Sequence, residues 1–379
     1  MIKKIFNLIF IIMQLVISSC REAYLPPAIK SANNFLVVEG IINAGMDSTI
    51  FKLTRTKNLG DTTLEIPELF ARVQIEAQSG AFYVLTGTGN GIYSSGPMPL
   101  NSAEMYRLTI STVSGGFYQS DLVQVKQTPA IDSLNWKLNK DVTIYVSSHD
   151  ATNNTRYYRW DFMETWEYET FYDSNLGYDY GNDRIYFRDS SQLLTRCWSS
   201  ARSAGIFIGT SDNLTNDIIS QIPLTTIPDG SDKIRTRYSI LVKQYALTRP
   251  AFEYWQLLRK NSKELGSIFG NQPAEFTGNI RCLSNPEEPV IGFVSASTVT
   301  EKRIFIKNSE LNTWNSPNLT STCSPIIIPQ DSTFYYLVNN PDYAPAYFLS
   351  GTPNPLAIAK RKCVDCTLSG GNTSKPSYW

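Results

Sequence analysis

The sequence predicts an all-β fold of two sandwich-like domains, the second carrying one α-helix and long loops. Three observations lead there. Apolar and polar residues alternate through short runs along much of the 379-residue chain, the period of half-buried strands. Turn signals separate these runs, at residues 43–45, Ser79-Gly80, Gly89-Asn90-Gly91 and Gly115-Gly116. The composition holds 21 tyrosines and 18 phenylalanines, with Thr, Ser and Asn between apolar positions, which suits pleated surfaces exposed on one side.

The chain begins with a targeting signal. Lys3 and Lys4 precede an apolar run over residues 5–17, too short to span a bilayer and suited to a signal peptide over residues 1–19. The run ends Ile17-Ser18-Ser19-Cys20. Small residues directly before a cysteine resemble the bacterial lipobox, in which the thiol is acylated and the leader removed. Cys20 is therefore expected to be lipidated, and acyl chains at ~0.8 kcal/mol per buried CH₂ hold such a protein on a membrane. No later stretch is apolar enough to span one. With 34 basic and 34 acidic residues, the chain lacks the basic excess that nucleic-acid binding needs.

Residues 20–33 read as a tether and residues 34–125 as a first, Ig-like or transthyretin-like sandwich. Val73, Ile75 and Ala77 alternate with polar residues, as do Tyr106, Leu108 and Ile110. The order VQIEA, GIYSS, MYRLTIS, FYQSDLVQV resembles transthyretin-like and carboxypeptidase-regulatory-like sandwiches, a likeness of fold that carries no function.

Residues 126–132 (KQTPAID) form a linker, and residues 133–379 a second, β-rich domain. In it Val142, Ile144 and Val146 alternate. So do Tyr158, Trp160, Phe162, Trp166 and Tyr168, which share one parity and should face a core. Tyr238, Ile240 and Val242 mark a further strand. The period then changes. Ala251, Tyr254, Trp255 and Leu258 fall at helical spacing, Thr248 and Pro250 suit a helix start, and Gly266 suits its stop. The one helix expected covers about residues 249–264. The tail from residue 339 holds five prolines and should lie extended over the surface.

Several of these segments together resemble one family. YSILVKQYALTRPAFEYWQLLRKNSKELGSIF, GNQPAEFTGNIRC, EPVIGF, EKRIFI and the tail CVDC…GG…KPSYW, with the lipobox, FLVVEG and TPAIDSL, are similar to the Bacteroidota lipoproteins grouped as domain of unknown function 4249. The resemblance spans nearly all of the mature chain. It implies an envelope lipoprotein, frequently encoded near TonB-dependent outer-membrane receptors, and it supplies no catalytic residues.

Chemistry-bearing groups are sparse. His149 is the single histidine and sits in a turn-like context (SSHDATNN) that suits a solvated residue; a catalytic triad would have to use it, and a zinc site built on several histidines is excluded. Asp173, Asn175, Asp179 and Asp183 could gather around calcium, but Tyr178 and Arg184 stand where an EF-hand needs Gly and Glu. Glu167 and Glu169 form an acidic pair of the kind glycosidases use, and also of the kind any solvated sheet face shows. No metal, cofactor or enzymatic activity is expected. Beyond Cys20 the cysteines are Cys197, Cys282, Cys323, Cys363 and Cys366. An exported protein uses them in disulfides. The pairing expected is Cys197 with Cys282, and Cys323 with either Cys363 or Cys366, leaving one thiol over.

One segment is rich in rings: 12 of the 31 residues at 157–187 are aromatic. Strand parity accounts for most of them. Tyr172, Tyr178 and Tyr180 instead fall in a Gly/Asp/Asn loop and are the candidates for stacking on a glycan or docking a protein, unless they fold back onto the sheet. The function expected is that of a non-catalytic binding or accessory lipoprotein. It would be anchored in the outer membrane, facing the cell surface or the periplasm, and would work with a TonB-dependent receptor in capturing a glycan or peptide. The alternative is a structural or adhesive envelope protein without a small ligand.

Overall fold

The structure is a computed structural model and describes residues 34–57, 65–264, 278–312, 314, 322–351 and 354–379. The signal peptide, Cys20, the tether and Gly266 lie outside the described residues. The fold is mainly β, with two sheet-rich bodies and a minor helical part. No helix among the described residues is long and apolar enough to cross a membrane.

The first body is one 12-stranded sheet wrapped around one core. Strand Leu36–Asn43 pairs antiparallel with Thr49–Arg55, and Arg72–Ala77 lies between Phe82–Gly89 and Met105–Ser111. Val123–Lys126 pairs with both Met105–Ser111 and Ala296–Ser297, so the ladder closes on itself. Closure joins the two faces of the sandwich and pairs Val123–Lys126 on both sides. Val73, Ile75 and Ala77 are buried, as are Tyr106, Leu108 and Ile110, as the alternation requires.

This body does not end at residue 125. Ile280–Cys282 pairs with Phe117–Ser120, while Ile291–Gly292 and Ala296–Ser297 run parallel to Leu36–Asn43. Ile280, Val290, Val294 and Ala296 bury themselves in the first core. The expected second domain of residues 133–379 is therefore interrupted by a return to the first. These returning strands are two or three residues long, too short to carry a period. Gly292 permits the approach. Its φ is 148°, and a Cβ there would stand 2.4 Å from the Val38 carbonyl oxygen.

In the second body a three-stranded sheet faces a five-stranded one. Ile131–Asn139, Asp141–Asp150 and Asp217–Ile227 form the first. The second runs Arg196–Arg202, Tyr157–Glu169, Arg237–Ala246, Val299–Lys307, with Phe207–Thr210 also on Tyr157–Glu169. Val142, Ile144 and Val146 meet Tyr158, Trp160, Phe162, Tyr238, Ile240 and Val242 in the core. The expected parity along Tyr157–Glu169 carries on past Phe162, with Trp166 packed against the same core, but beyond Glu164 outward residues are buried too. Glu164 is buried on the core side. Thr165 and Glu167 are buried as well, and Trp166 and Tyr168 are half-buried. Tyr378 and Trp379 reach across to Thr165 and Glu167 and cover the outer face there.

The expected helix is present as Arg249–Glu264. Thr248 caps it, its Oγ1 accepting from Ala251 N at 3.4 Å. Ala251 and Phe252 pack on Leu247 and Ile208, and Tyr254 meets Phe293 of the returning segment with ring centres 5.3 Å apart. The helix is thus wedged between the two bodies.

The tail is not an extended surface strap. Residues 322–379 include a second short helix, Thr333–Asn339, and a sheet of Ile326–Ile328, Leu356–Lys360 and Tyr343–Phe348. Leu356, Ala357, Ile358 and Ala359 are all buried there. A run that is apolar on both faces of its sheet overrides the prolines around it. Leu176 of the hairpin Leu176–Asp179/Arg184–Phe187 joins this small core, so the expected loop at 172–183 is partly a hairpin.

Candidate functional site

Alternation decides which residues of the five-stranded sheet face away from its core. Tyr158, Trp160 and Phe162 point inward, so Arg159, Asp161 and Met163 point out. Register extends the pattern sideways. Arg202 stands opposite Met163, Met163 opposite Leu241, and Leu241 opposite Arg303. In the next row Asp161 opposes Lys243, and Lys243 opposes Glu301; in the row after, Arg159 opposes Tyr245.

Both ends of this outer face are covered. At one end the helix sets Trp255 under the Arg159 guanidinium, 4.0 Å from the ring centre. At the other the Arg303 guanidinium lies 3.6 Å over the Tyr378 ring. There Tyr378 Oη is also 2.8 Å from Thr165 Oγ1, and Trp379 Nε1 donates to Glu167 at 3.0 Å. Between the two covers the sheet is open. A hollow of about 880 Å³ lies over it, and a second of about 700 Å³ shares its lining and runs between the helix and strands Leu36–Asn43 and Thr49–Arg55 of the first body.

The charges in this cleft fall into two kinds. Arg159 is held by Asp161 at 2.9 Å, Lys243 by Glu301 at 3.4 Å, and Lys52 by Glu65 at 2.6 Å. Arg202 and Arg303 have no carboxylate partner among the described residues. Arg303 donates only to Ser239 Oγ, at 3.0 Å. Burial, reinforced by the Asp161 charge, pushes the Tyr245 phenol up. Burial pushes Tyr254 up to about 12, so both stay neutral donors near neutral pH. Guanidinium forks, apolar floor residues and neutral hydroxyls make a surface that binds and orients.

The residues singled out from the sequence lie elsewhere. Tyr172 folds back: its hydroxyl donates to the Cys323 carbonyl at 2.8 Å and its ring packs on Tyr347 at 5.4 Å. Tyr178 donates to Asp183 and joins the small core with Leu176. Only Tyr180 is exposed, edge-on to Tyr178 at 4.8 Å. The trio is therefore no common binding face. Asp179 accepts from Gly181 N, Asn182 N and Asn182 Nδ2, which ties it into its own turn. Among the described residues no group of three His, Cys, Asp or Glu could hold a metal. Arg196 spans Glu167 and Glu169, which ties up both carboxylates considered as a glycosidase pair. His149 is exposed and does not line the cleft. Asp132, 2.8 Å from its Nδ1, holds its pKa above the ordinary value.

The disulfides differ from expectation in one pair. Cys197 bonds Cys366, not Cys282, and Cys323 bonds Cys363. Among the described residues Cys282 is the free cysteine, buried in the first core. Its return to that body puts it out of reach of Cys197 on the second.

A family model described as domain of unknown function 4249 matches residues 22–303. The chain belongs to this family. No curated protein matches it. The span shared with the domain-4249 family contains the helix, the returning strands and the whole row from Arg202 to Arg303. It stops before Cys323, Cys363, Cys366 and Tyr378, so the tail motif CVDC…GG…KPSYW, one of the segments that carried the resemblance, lies outside the match. Sequence reading missed the cleft because its floor comes from four strands far apart in the chain. One local signal was there: Met163 and Leu241 are apolar at outward parity, on strands whose inward positions were already apolar.

Proposed function

We propose that this domain-4249 protein is a non-catalytic binding or accessory lipoprotein of the cell envelope. It is held in the outer membrane through Cys20 and captures ligand in the cleft between its two bodies. A TonB-dependent receptor would be its membrane partner. The cleft carries the reading. It is the place where both bodies and the helix bring charged, aromatic and apolar side chains to one concave surface, the usual make-up of ligand sites. The lipobox before Cys20 and the family's link with envelope lipoproteins support the location.

Hydrogen exchange on the full lipidated protein tests the capture. Peptide and oligosaccharide fractions from growth medium should slow exchange over residues 159–163 and 241–245. If fractions that bind leave those residues unchanged, the cleft is not the site. A detergent pull-down should recover an outer-membrane barrel, and repeated failure to do so would remove the receptor from the proposal. The second reading is an adhesive or structural envelope protein, and it has its own support. Tyr180, Phe187, Phe334 and Tyr335 are all exposed on the tail unit, as a protein-docking tip would be.

A further inference from the structure

The open part of the outer sheet face has a regular chemical order. Its central row reads Arg202, Met163, Leu241, Arg303 across four neighbouring strands. Neither arginine has a carboxylate partner among the described residues, and the two residues between them are apolar and half-exposed. With strands about 4.8 Å apart, the two guanidinium-bearing positions are separated by about 14 Å. An extended peptide advances about 3.4 Å per residue and turns alternate side chains to one face, so its residues i and i+4 also lie about 14 Å apart, with residue i+2 between them.

We propose that this row binds an extended peptide segment with acidic side chains at i and i+4 and an apolar side chain at i+2, lying across the strands. The proposal rests on the cleft being the ligand site and names the class of ligand. The acids meet Arg202 and Arg303 as charge-assisted, fork-to-carboxylate pairs, and the apolar residue meets Met163 and Leu241. A neutral glycan fits less well. Sugars stack on free ring faces, and the nearest rings here are already covered: Trp255 by Arg159 and Tyr378 by Arg303. The next row gives the peptide little competition, because Asp161 is occupied by Arg159 and Glu301 by Lys243.

The test uses the full chain and labelled, end-blocked pentapeptides read by fluorescence anisotropy. Glu-Ser-Leu-Ser-Glu should bind about a hundredfold more tightly than Gln-Ser-Leu-Ser-Gln, which loses both charged pairs, and about tenfold more tightly than the reordered Glu-Glu-Leu-Ser-Ser, which loses one, since each charged pair contributes about a factor of ten. Arg202→Gln should erase the preference over the reordered peptide and cut that over the amide peptide about tenfold, while the melting temperature holds, because the side chain is exposed and makes no ion pair among the described residues. Met163→Lys should weaken all three peptides. Equal binding of the acidic and amide peptides, or a preference over the reordered peptide that survives Arg202→Gln, overturns the proposal. So does a failure of every peptide to bind. An oligogalacturonate that binds in an Arg202-dependent way while the peptides do not would keep the cleft as the ligand site and overturn the peptide as its occupant.

Discussion

Single residues hold this fold at a few buried polar points. Asp217 is 1% exposed and accepts from Tyr158 Oη at 2.8 Å, from Arg156 N at 3.0 Å and from Ser211 Oγ. Asp217→Ala leaves those donors facing apolar surroundings and should lower the urea unfolding free energy by about 3 kcal/mol; a loss below about 1 kcal/mol would show that water replaces the carboxylate. Asp150 gives a pH dependence. Burial pushes its carboxyl up, but donors from Thr152, Thr155 and Asn154 outweigh that and hold it at about 2. A folded-state pKa below the ordinary value of about 3.9 stabilises the protein above that pH, and the contribution is lost as pH falls toward 2. Asp150→Asn should remove that part of the acid sensitivity, and a stability–pH curve between about 5 and 2 that is unchanged in the variant would assign it to other groups. Cys282 shows where residue-level reading failed. Its type and odd count were legible, but its partner depended on a chain return that no local pattern announces. A maleimide should label it only after denaturation; native-state labelling at the denatured rate would contradict its burial.

Elements were legible where a period is long enough to read. The helix Arg249–Glu264 is, because Ala251, Tyr254 and Trp255 recur at its turn. Helix Thr333–Asn339 is two turns long and is set among prolines, and its packing on the Leu356–Lys360 strand is tertiary information. The tail as a unit hangs on the Cys197–Cys366 bond, which closes a separation of 169 residues. By chain entropy such a bond contributes up to roughly 5 kcal/mol. The Cys197→Ser/Cys366→Ser double variant should therefore melt lower and expose residues 322–379 to protease. A tail that stays resistant would mean its own core, around Leu356 and Ile358, suffices.

At the scale of the whole molecule, the two bodies are not beads on a string. The chain leaves the first at Lys126, returns for residues 279–297 and leaves again, and Thr128 and Thr298 clasp the crossing: Thr128 N donates to Thr298 Oγ1 at 2.8 Å. A fragment ending at residue 130 holds every residue that alternation assigns to the first sandwich, yet it lacks Ile280, Val290, Val294 and Ala296 and leaves strand Leu36–Asn43 open on one side. It should associate and show no cooperative melt by circular dichroism, and a sharp transition from a monomer would refute this. The all-β class was readable from the sequence; the interleaving was not, since two-residue strands gain their meaning only from the neighbours they pair with. The parallel pairing of Leu36–Asn43 with residues 291–297 has a mechanical side. If Cys20 is held in a bilayer, tension enters at the start of the first strand and leaves through Val299 into the other body. The two strands are then drawn in opposite directions along their length, and their hydrogen bonds share the load in shear instead of peeling apart one at a time. A pull on such an anchor would strain the fold where it resists best.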